Sequence, residues 1–386
     1  MAVHGSTLPV SLAFVTKGVA VNILVPSQPE PGGGPSPGFV KAPVVGPDPA
    51  DRFLANPAVL RLDTDPVRWV VYAVTTDGRL AQFEHVDGRW RIDFPIDQED
   101  LPAVAFAGTV TVIHGAGPDA REIFGTSTAG RLVRVLLDGD RAMVDFPAEQ
   151  AEGAPGQPPA QDRVFAGAPV AIEFDAAARK RLVYGLTRAG VLVELWGDGD
   201  RWQLGSPAEE AGDGGLRFRG GLAAALAGKG TADVTKHVAG VTTDGVLVEL
   251  TGKYGVRGAT HYGEDSRFRG DGIGMFTGPP DYHGLVLAAV TTTGRLVCFD
   301  AAGRTLEPAA LAEHPESDFA RVVGGAVADG WIHVHAITAT GTIVELRSGK
   351  IDGPSLLTLP WSGWSYMRLA SFDELEGEEE REARRR

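Results

Sequence analysis

Seven times along the chain an apolar run turns at a glycine and resumes. Six of the seven residues standing four positions beyond that glycine are polar. The glycines are Gly18, Gly78, Gly130, Gly190, Gly245, Gly294 and Gly341, and the residues beyond them are Asn22, Gln82, Arg134, Glu194, Glu249, Cys298 and Glu345. Three are carboxylates inside otherwise apolar strands such as VLVEL. A carboxylate in that setting must meet a cation, hydrogen-bond donors or water, because burying it unpaired is costly. Two chemistries satisfy the requirement. Glu194, Glu249 and Glu345 either pair with an arginine or backbone amides near strand ends, or line pockets between repeats and accept hydrogen bonds from ligand hydroxyls.

The elements that must position these residues are β-hairpins. AVTTDGRLAQF, TSTAGRLVRV, LTRAGVLVEL, VTTDGVLVEL, VTTTGRLVCF and ITATGTIVEL each read as strand, Thr-rich turn, Gly, strand, and AFVTKGVAVNI is a weaker seventh copy. The glycine supplies the positive φ of a tight hairpin, and the Asp or Thr before it bonds the local backbone. A repeat of about 50 residues built on hairpins indicates a β-propeller, one blade per repeat. Separate apolar segments precede the hairpins as inner strands: PAVLRL (57–62), GTVTVI (108–113), APVAIEF (168–174) and RVVGGAV (321–327). The Gly18 hairpin has no such segment before it, and YMRLASF (366–372) is left over at the other end. The expectation is therefore an all-β, seven-bladed propeller over residues 1–372, its last blade closed by the C-terminal strand pairing with the N-terminal hairpin. Residues 26–51 and 147–162, dense in Pro and Gly, are expected as rim loops. Residues 373–386 are a charged tail, acidic and then basic.

Composition narrows the partners. The formal charge is -14 over 386 residues, which argues against nucleic acid and anionic membrane surfaces. The chain has one cysteine, Cys298, so it has no internal disulfide, and LVCF reads as a buried apolar setting. No basic leader and no apolar stretch near the ~20 residues of a membrane span is present, so membrane insertion is not expected. The chain is expected in the cytoplasm, or exported without a cleavable signal peptide. His333 and His335 share a strand face but lack an evident third metal ligand. The DGD turns at 138–140 and 198–200 offer too few oxygens for Ca²⁺. No nucleophile elbow, phosphate loop or zinc spacing occurs. Neither a cofactor nor a metal is expected, and the protein is not expected to be an enzyme.

The stretch RLVYGLTRAGVLVELWGDGDRWQLG (181–205) resembles one repeat of the propeller lectins, the fungal fucose-binding type and its bacterial and tachylectin/tectonin-like relatives. VVYAVTTDGRLAQFEHVDGRW (70–90) follows the same plan, with Gln82 for the glutamate and Trp90 at its end. In the fucose-binding lectins an arginine, the glutamate and an aromatic ring form the sugar pocket. The resemblance implies Glu194 as hydroxyl acceptor and Trp202 as stacking surface, with Glu249, Glu345, Gln82 and Trp90 at related places. Leu182 occupies the position of the family's first-strand arginine. A lectin-like binder of glycans at pockets between blades is the expected function. The alternative is a protein-interaction scaffold, or a subunit of a larger assembly, using a propeller face, the loops and the tail.

Overall fold

The computed structural model describes residues 12–16, 20–26, 39–44, 53–54, 57–62, 68–86, 89–97, 101–139, 141–153, 163–175, 179–228, 234–253, 256–263, 266–277, 285–300, 305, 318–328, 331–347 and 365–371. The chain is a β-propeller of six blades, not seven. Ahead of the blades lies a three-stranded sheet of β1 (Leu12–Thr16), β2 (Ala20–Pro26) and β3 (Phe39–Val44). Blade 1 is β4 (Ala58–Leu62), β5 (Arg68–Val74), β6 (Leu80–Val86) and β7 (Arg89–Asp93). Blade 2 is β8 (Thr111–His114), β9 (Arg121–Thr126), β10 (Leu132–Asp138) and β11 (Arg141–Asp145). A one-turn helix α1 (Pro147–Gln150) then leads to β12 (Glu152–Gly153), which runs parallel on the outer edge of blade 3.

Blade 3 itself is β13 (Phe165–Asp175), β14 (Lys180–Thr187), β15 (Leu192–Asp198) and β16 (Arg201–Gly205), followed by the short helix α2 (Pro207–Glu210). Blade 4 is β17 (Phe218–Ala227), β18 (Thr235–Thr242), β19 (Leu247–Lys253) and β20 (Val256–Tyr262). Blade 5 has β21 (Phe268–Thr277), β22 (Leu285–Thr291) and β23 (Leu296–Asp300). Blade 6 is β24 (Phe319–Ala328), β25 (Trp331–Thr338), β26 (Thr342–Arg347) and β27 (Ser365–Ser371).

Two expectations about the ends are corrected. The C-terminal strand β27 does not clasp the N-terminal hairpin. It pairs antiparallel with β26 and completes blade 6. The N-terminal hairpin instead takes its third strand, β3, from within the Pro/Gly-rich stretch 26–51. Both outcomes follow the preference of consecutive strands to pair with each other. With β27 used in this way, no inner strand precedes the Gly18 hairpin among the described residues, and that copy adds no seventh blade. Part of the second insert is likewise ordered, as α1 and β12, while residues 154–162 and the tail 373–386 lie outside the described residues.

Each blade buries both faces. On β5, Val70, Tyr72 and Val74 pack toward blade 2, while Val71 and Ala73 pack on the opposite face. On β14, Val183 packs toward blade 2, while Leu182 and Tyr184 pack toward blade 4. This explains the nearly continuous apolar runs, because alternation of side chains sends every second residue to a different neighbour. Among the described residues the core is therefore a series of seams, one between each two consecutive blades from blade 1 to blade 6.

The hairpin turns also join the blades. Each of the six described turn glycines, Gly78 to Gly341, has a positive φ, from +76° at Gly190 to +89° at Gly78 and Gly245. Each donates its N–H to the carbonyl three residues earlier, as Gly78 does to Thr75 at 2.9 Å. The glycine carbonyls then accept N–H groups from the following blade: Phe106 on Gly78, Phe165 on Gly130, Phe218 on Gly190, Phe268 on Gly245 and Phe319 on Gly294, at 2.7–2.9 Å. A Cβ on Gly190 would sit 2.7 Å from the Phe218 carbonyl oxygen. The glycine is thus required twice, for its backbone angle and for the close approach of the next blade.

Candidate functional site

In blades 1 to 5 the register places the residue four positions beyond the turn glycine on the face toward the next blade. Gln82 lies opposite Tyr72, Glu194 opposite Tyr184, Glu249 opposite Ala239 and Cys298 opposite Ala288. The next blade meets each of them with the residue nine positions before its own turn glycine. These facing residues are Arg121, Arg181, Lys236, Leu285 and Ile332. A seam is therefore defined by two positions in successive blades, and each seam solves its electrostatics differently.

Between blades 3 and 4 the pair is Glu194 and Lys236. Lys236 Nζ donates to Glu194 Oε1 at 2.9 Å, and its cation lies 5.6 Å from the centre of the Trp196 ring. Between blades 2 and 3 two arginines meet. Arg134 is held by Asp145, with Nε 3.0 Å from each carboxylate oxygen. Arg181 Nε lies 2.8 Å from Glu122 Oε2, while its Nη1 and Nη2 donate to the Arg179 and Gly199 carbonyls. Glu122 also reaches Arg134. Burial lowers the Arg181 pKa to about 10, against the opposing pull of Glu122, so it remains charged at neutral pH. Trp202 closes this seam, with the Arg181 guanidinium 4.7 Å from its ring centre and Phe124 packed edge-on.

Between blades 4 and 5 the facing residue is Leu285, and Glu249 is satisfied from its own blade. Its Oε1 lies 2.6 Å from His237 Nδ1, and Tyr262 donates its hydroxyl to Oε2. Burial, and then the Glu249 charge, raise the Tyr262 pKa, so the phenol keeps its proton. Glu345 repeats the arrangement with His333, whose Nδ1 is 2.5 Å from Oε1. His333 is thereby engaged with Glu345, and His335 is fully buried. Among the described residues no group of three metal-ligating side chains converges. The seam of blades 5 and 6 is apolar, with Cys298 wholly buried and its thiol pushed up to about 12 by desolvation.

The seam between blades 1 and 2 differs. Here a polar cleft of about 460 Å³ opens between the blades, lined by Gln82, Glu84 and Asp93 from blade 1 and Asp119, Arg121 and Arg141 from blade 2. The Tyr72 hydroxyl donates to Gln82 Oε1 at 3.0 Å, which leaves the amide N–H groups of Gln82 for another acceptor. Burial raises the Tyr72 pKa, so that donor is permanent near neutrality. Arg68, also on the wall, bridges Glu84 (2.6 Å) and Asp119 (2.9 Å). Arg121 is 6% exposed, and its Nε has no hydrogen-bond partner among the described residues.

The sequence-derived candidates are thus dispersed. Gln82 lies in the open cleft, whereas Glu194, Glu249 and Glu345 are buried against Lys236, His237 and His333. Glu194 and Trp202 do not share a pocket. Trp202 lies opposite Gly197, three residues from Glu194, and so points to the other face of blade 3. It is 2% exposed. Trp90 lies on β7, but its side chain is outside the described residues. Sequence reading did not single out Arg121. A signal for it exists, because a cation recurs nine residues before the turn glycine in three successive blades, as Arg121, Arg181 and Lys236.

Comparison with solved structures addresses the fold. The SapL1 lectin, solved in complex with alpha methyl fucoside, superposes with a TM-score of 0.50 over 82% of this chain and 96% of its own, at 15% identity. The BP39L lectin from Burkholderia pseudomallei gives a TM-score of 0.54 over 91% of this chain and 98% of its own, also at 15% identity. The chain shares the β-propeller fold of these lectins. No family model matches the sequence, and no curated protein does. The likeness therefore rests on backbone architecture, and the side chains of each seam are this chain's own. Among the described residues no helix is long and apolar enough to cross a membrane.

Proposed function

We propose that the protein is a non-enzymatic, lectin-like binder that holds a glycan in the cleft between blades 1 and 2. The cleft itself carries this reading. It combines a room of about 460 Å³ with donors on Gln82 and Arg121 and acceptors on Glu84, Asp93 and Asp119. A sugar presents hydroxyls that are donors and acceptors at once, and a wall with both kinds of group matches that chemistry. SapL1, a propeller lectin of the same fold, was solved with a bound fucoside, which agrees with the reading at the level of architecture. Nucleic acid is not a proposed partner, given the formal charge of -14.

The scaffold alternative calls for a wide apolar patch. Among the described residues the exposed large apolar side chains are Leu54 and Met143, so no such patch favours it there. The test is a glycan-array screen of wild type beside Gln82→Ala, Arg121→Ala and Glu194→Gln. Binding that is lost in the first two variants and retained in the third supports the cleft. Binding lost in Glu194→Gln alone moves the site to the seam of blades 3 and 4, and no binding to any glycan overturns the proposal.

A further inference from the structure

The equivalence of the seams identifies the charge of the ligand, an inference that rests on the glycan reading above. In the seam of blades 3 and 4, the position four beyond the turn glycine is Glu194 and the facing cation is Lys236, and the two neutralise each other. In the seam of blades 2 and 3, Arg181 meets Glu122. In the seam of blades 1 and 2 the same two positions hold Gln82 and Arg121. The carboxylate that would complete the pair is replaced by a neutral amide of nearly the same shape. The other anions of the cleft do not substitute for it: Glu84 and Asp119 are bound by Arg68, Asp93 is exposed to solvent, and among the described residues none forms an ion pair with Arg121. Arg121 is left buried, facing the cleft, with its Nε unpartnered among the described residues.

A buried, unneutralised guanidinium is costly unless something completes it. It is also planar and donates through a fork that fits a carboxylate with two parallel bonds. Gln82 adds amide donors from the blade 1 side of the cleft, oriented by the Tyr72 hydroxyl on its oxygen. We propose that the cleft selects an acidic saccharide, a sugar ring bearing a carboxylate, and that Arg121 and Gln82 receive that carboxylate in the place the glutamate occupies in the sister seam. Asp93, exposed at the wall, and the remaining oxygen of Asp119, Oδ2, then face the sugar hydroxyls.

The experiment uses the full chain and a panel of matched saccharides, terminated by a uronic or sialic acid, by the corresponding neutral sugar, or by a sulfated one. The key variant is Gln82→Glu, which installs the glutamate of the sister seam and supplies Arg121 with an internal partner. Arg121→Gln is the second variant, and thermal unfolding of both verifies folding. The wild type is expected to bind carboxylated members at least about tenfold more tightly than their neutral partners, a difference of ~1.4 kcal/mol. That preference should vanish in both variants, and Gln82→Glu should unfold at a higher temperature than wild type. Equal binding of acidic and neutral partners, or undiminished binding of acidic ones by Gln82→Glu, overturns the acidic-ligand assignment and leaves the glycan reading standing. A preference confined to sulfated members overturns the carboxylate in particular. Failure to bind any member overturns both readings together.

Discussion

Two seams of this propeller have the same geometry and opposite fates. Between blades 3 and 4, Glu194 and Lys236 close the gap with a 2.9 Å ion pair. Between blades 1 and 2, the equivalent Gln82 and Arg121 leave a cleft of about 460 Å³. The backbone is shared, the positions are equivalent in the repeat, and both cations come from the second strand of the following blade. The acid of one pair is an amide in the other. A single uncharged group thus separates a seam that holds the ring together from one that can hold something else. On the proposed reading, a repeat fold acquires a site by withholding an internal partner as much as by adding new groups.

The contrast can be tested by stability, starting with the largest effect. Glu122→Ala should cost about 3–5 kcal/mol, because it strands Arg181 and weakens the hold on Arg134, both almost fully buried. The denaturant midpoint reads this directly, and a loss below about 1 kcal/mol would mean that the second seam is also self-sufficient without its acid. Gly190→Ala should cost about 2 kcal/mol, from the positive φ and the approach of the Phe218 carbonyl. The same change at the exposed Gly139, whose added Cβ would meet nothing within 4 Å, isolates the backbone part.

The sharpest comparison is between equivalent arginines. Arg121→Met is expected to be neutral or to stabilise by about 1 kcal/mol, since it removes a buried cation that forms no ion pair among the described residues and whose Nε has no hydrogen-bond partner there. Arg181→Met removes one that has a partner, and should destabilise. If both variants lose stability alike in thermal unfolding, the first seam is not electrostatically open and the comparison fails.

The smallest effect lies in the turns. The Thr75 hydroxyl bonded to Asp77, and the Thr242 hydroxyl bonded to Asp244, lower the pKa of each carboxyl. A depressed carboxylate adds stability above its unfolded pKa, near 4, and loses it as pH falls through the folded value. Both groups are solvent-exposed, so the contribution is slight. An NMR titration should find both midpoints below the usual aspartate value, and Thr75→Val should return Asp77 toward it.

Much of the fold is legible in the residues. The turn glycines, the Thr-rich hairpins and the continuous apolar runs announce stacked β-sheets covered on both faces. The positions four beyond each glycine announce where polarity enters the seams. The blade count is less legible, because a hairpin signal such as AFVTKGVAVNI reports local strand pairing and not whether an inner strand exists to complete a blade. The site is less legible still. Glu194 and Trp202 look like neighbours eight residues apart, but the pleat sends them to opposite faces of one sheet. Arg121 looks like one charge among many, since its relation to Gln82 spans 39 residues and two blades.

The sequence by itself determined the hairpins, their period and the chemistry available at each seam, because these depend on backbone angles and on which side chains alternate along a strand. The tertiary structure alone decided which charges meet. An ion pair needs two groups within a few ångströms, and here the partners come from different blades whose facing is settled only when the sheets stack. That stacking gives Glu194 its Lys236 and Glu122 its Arg181. It leaves Arg121 beside an amide.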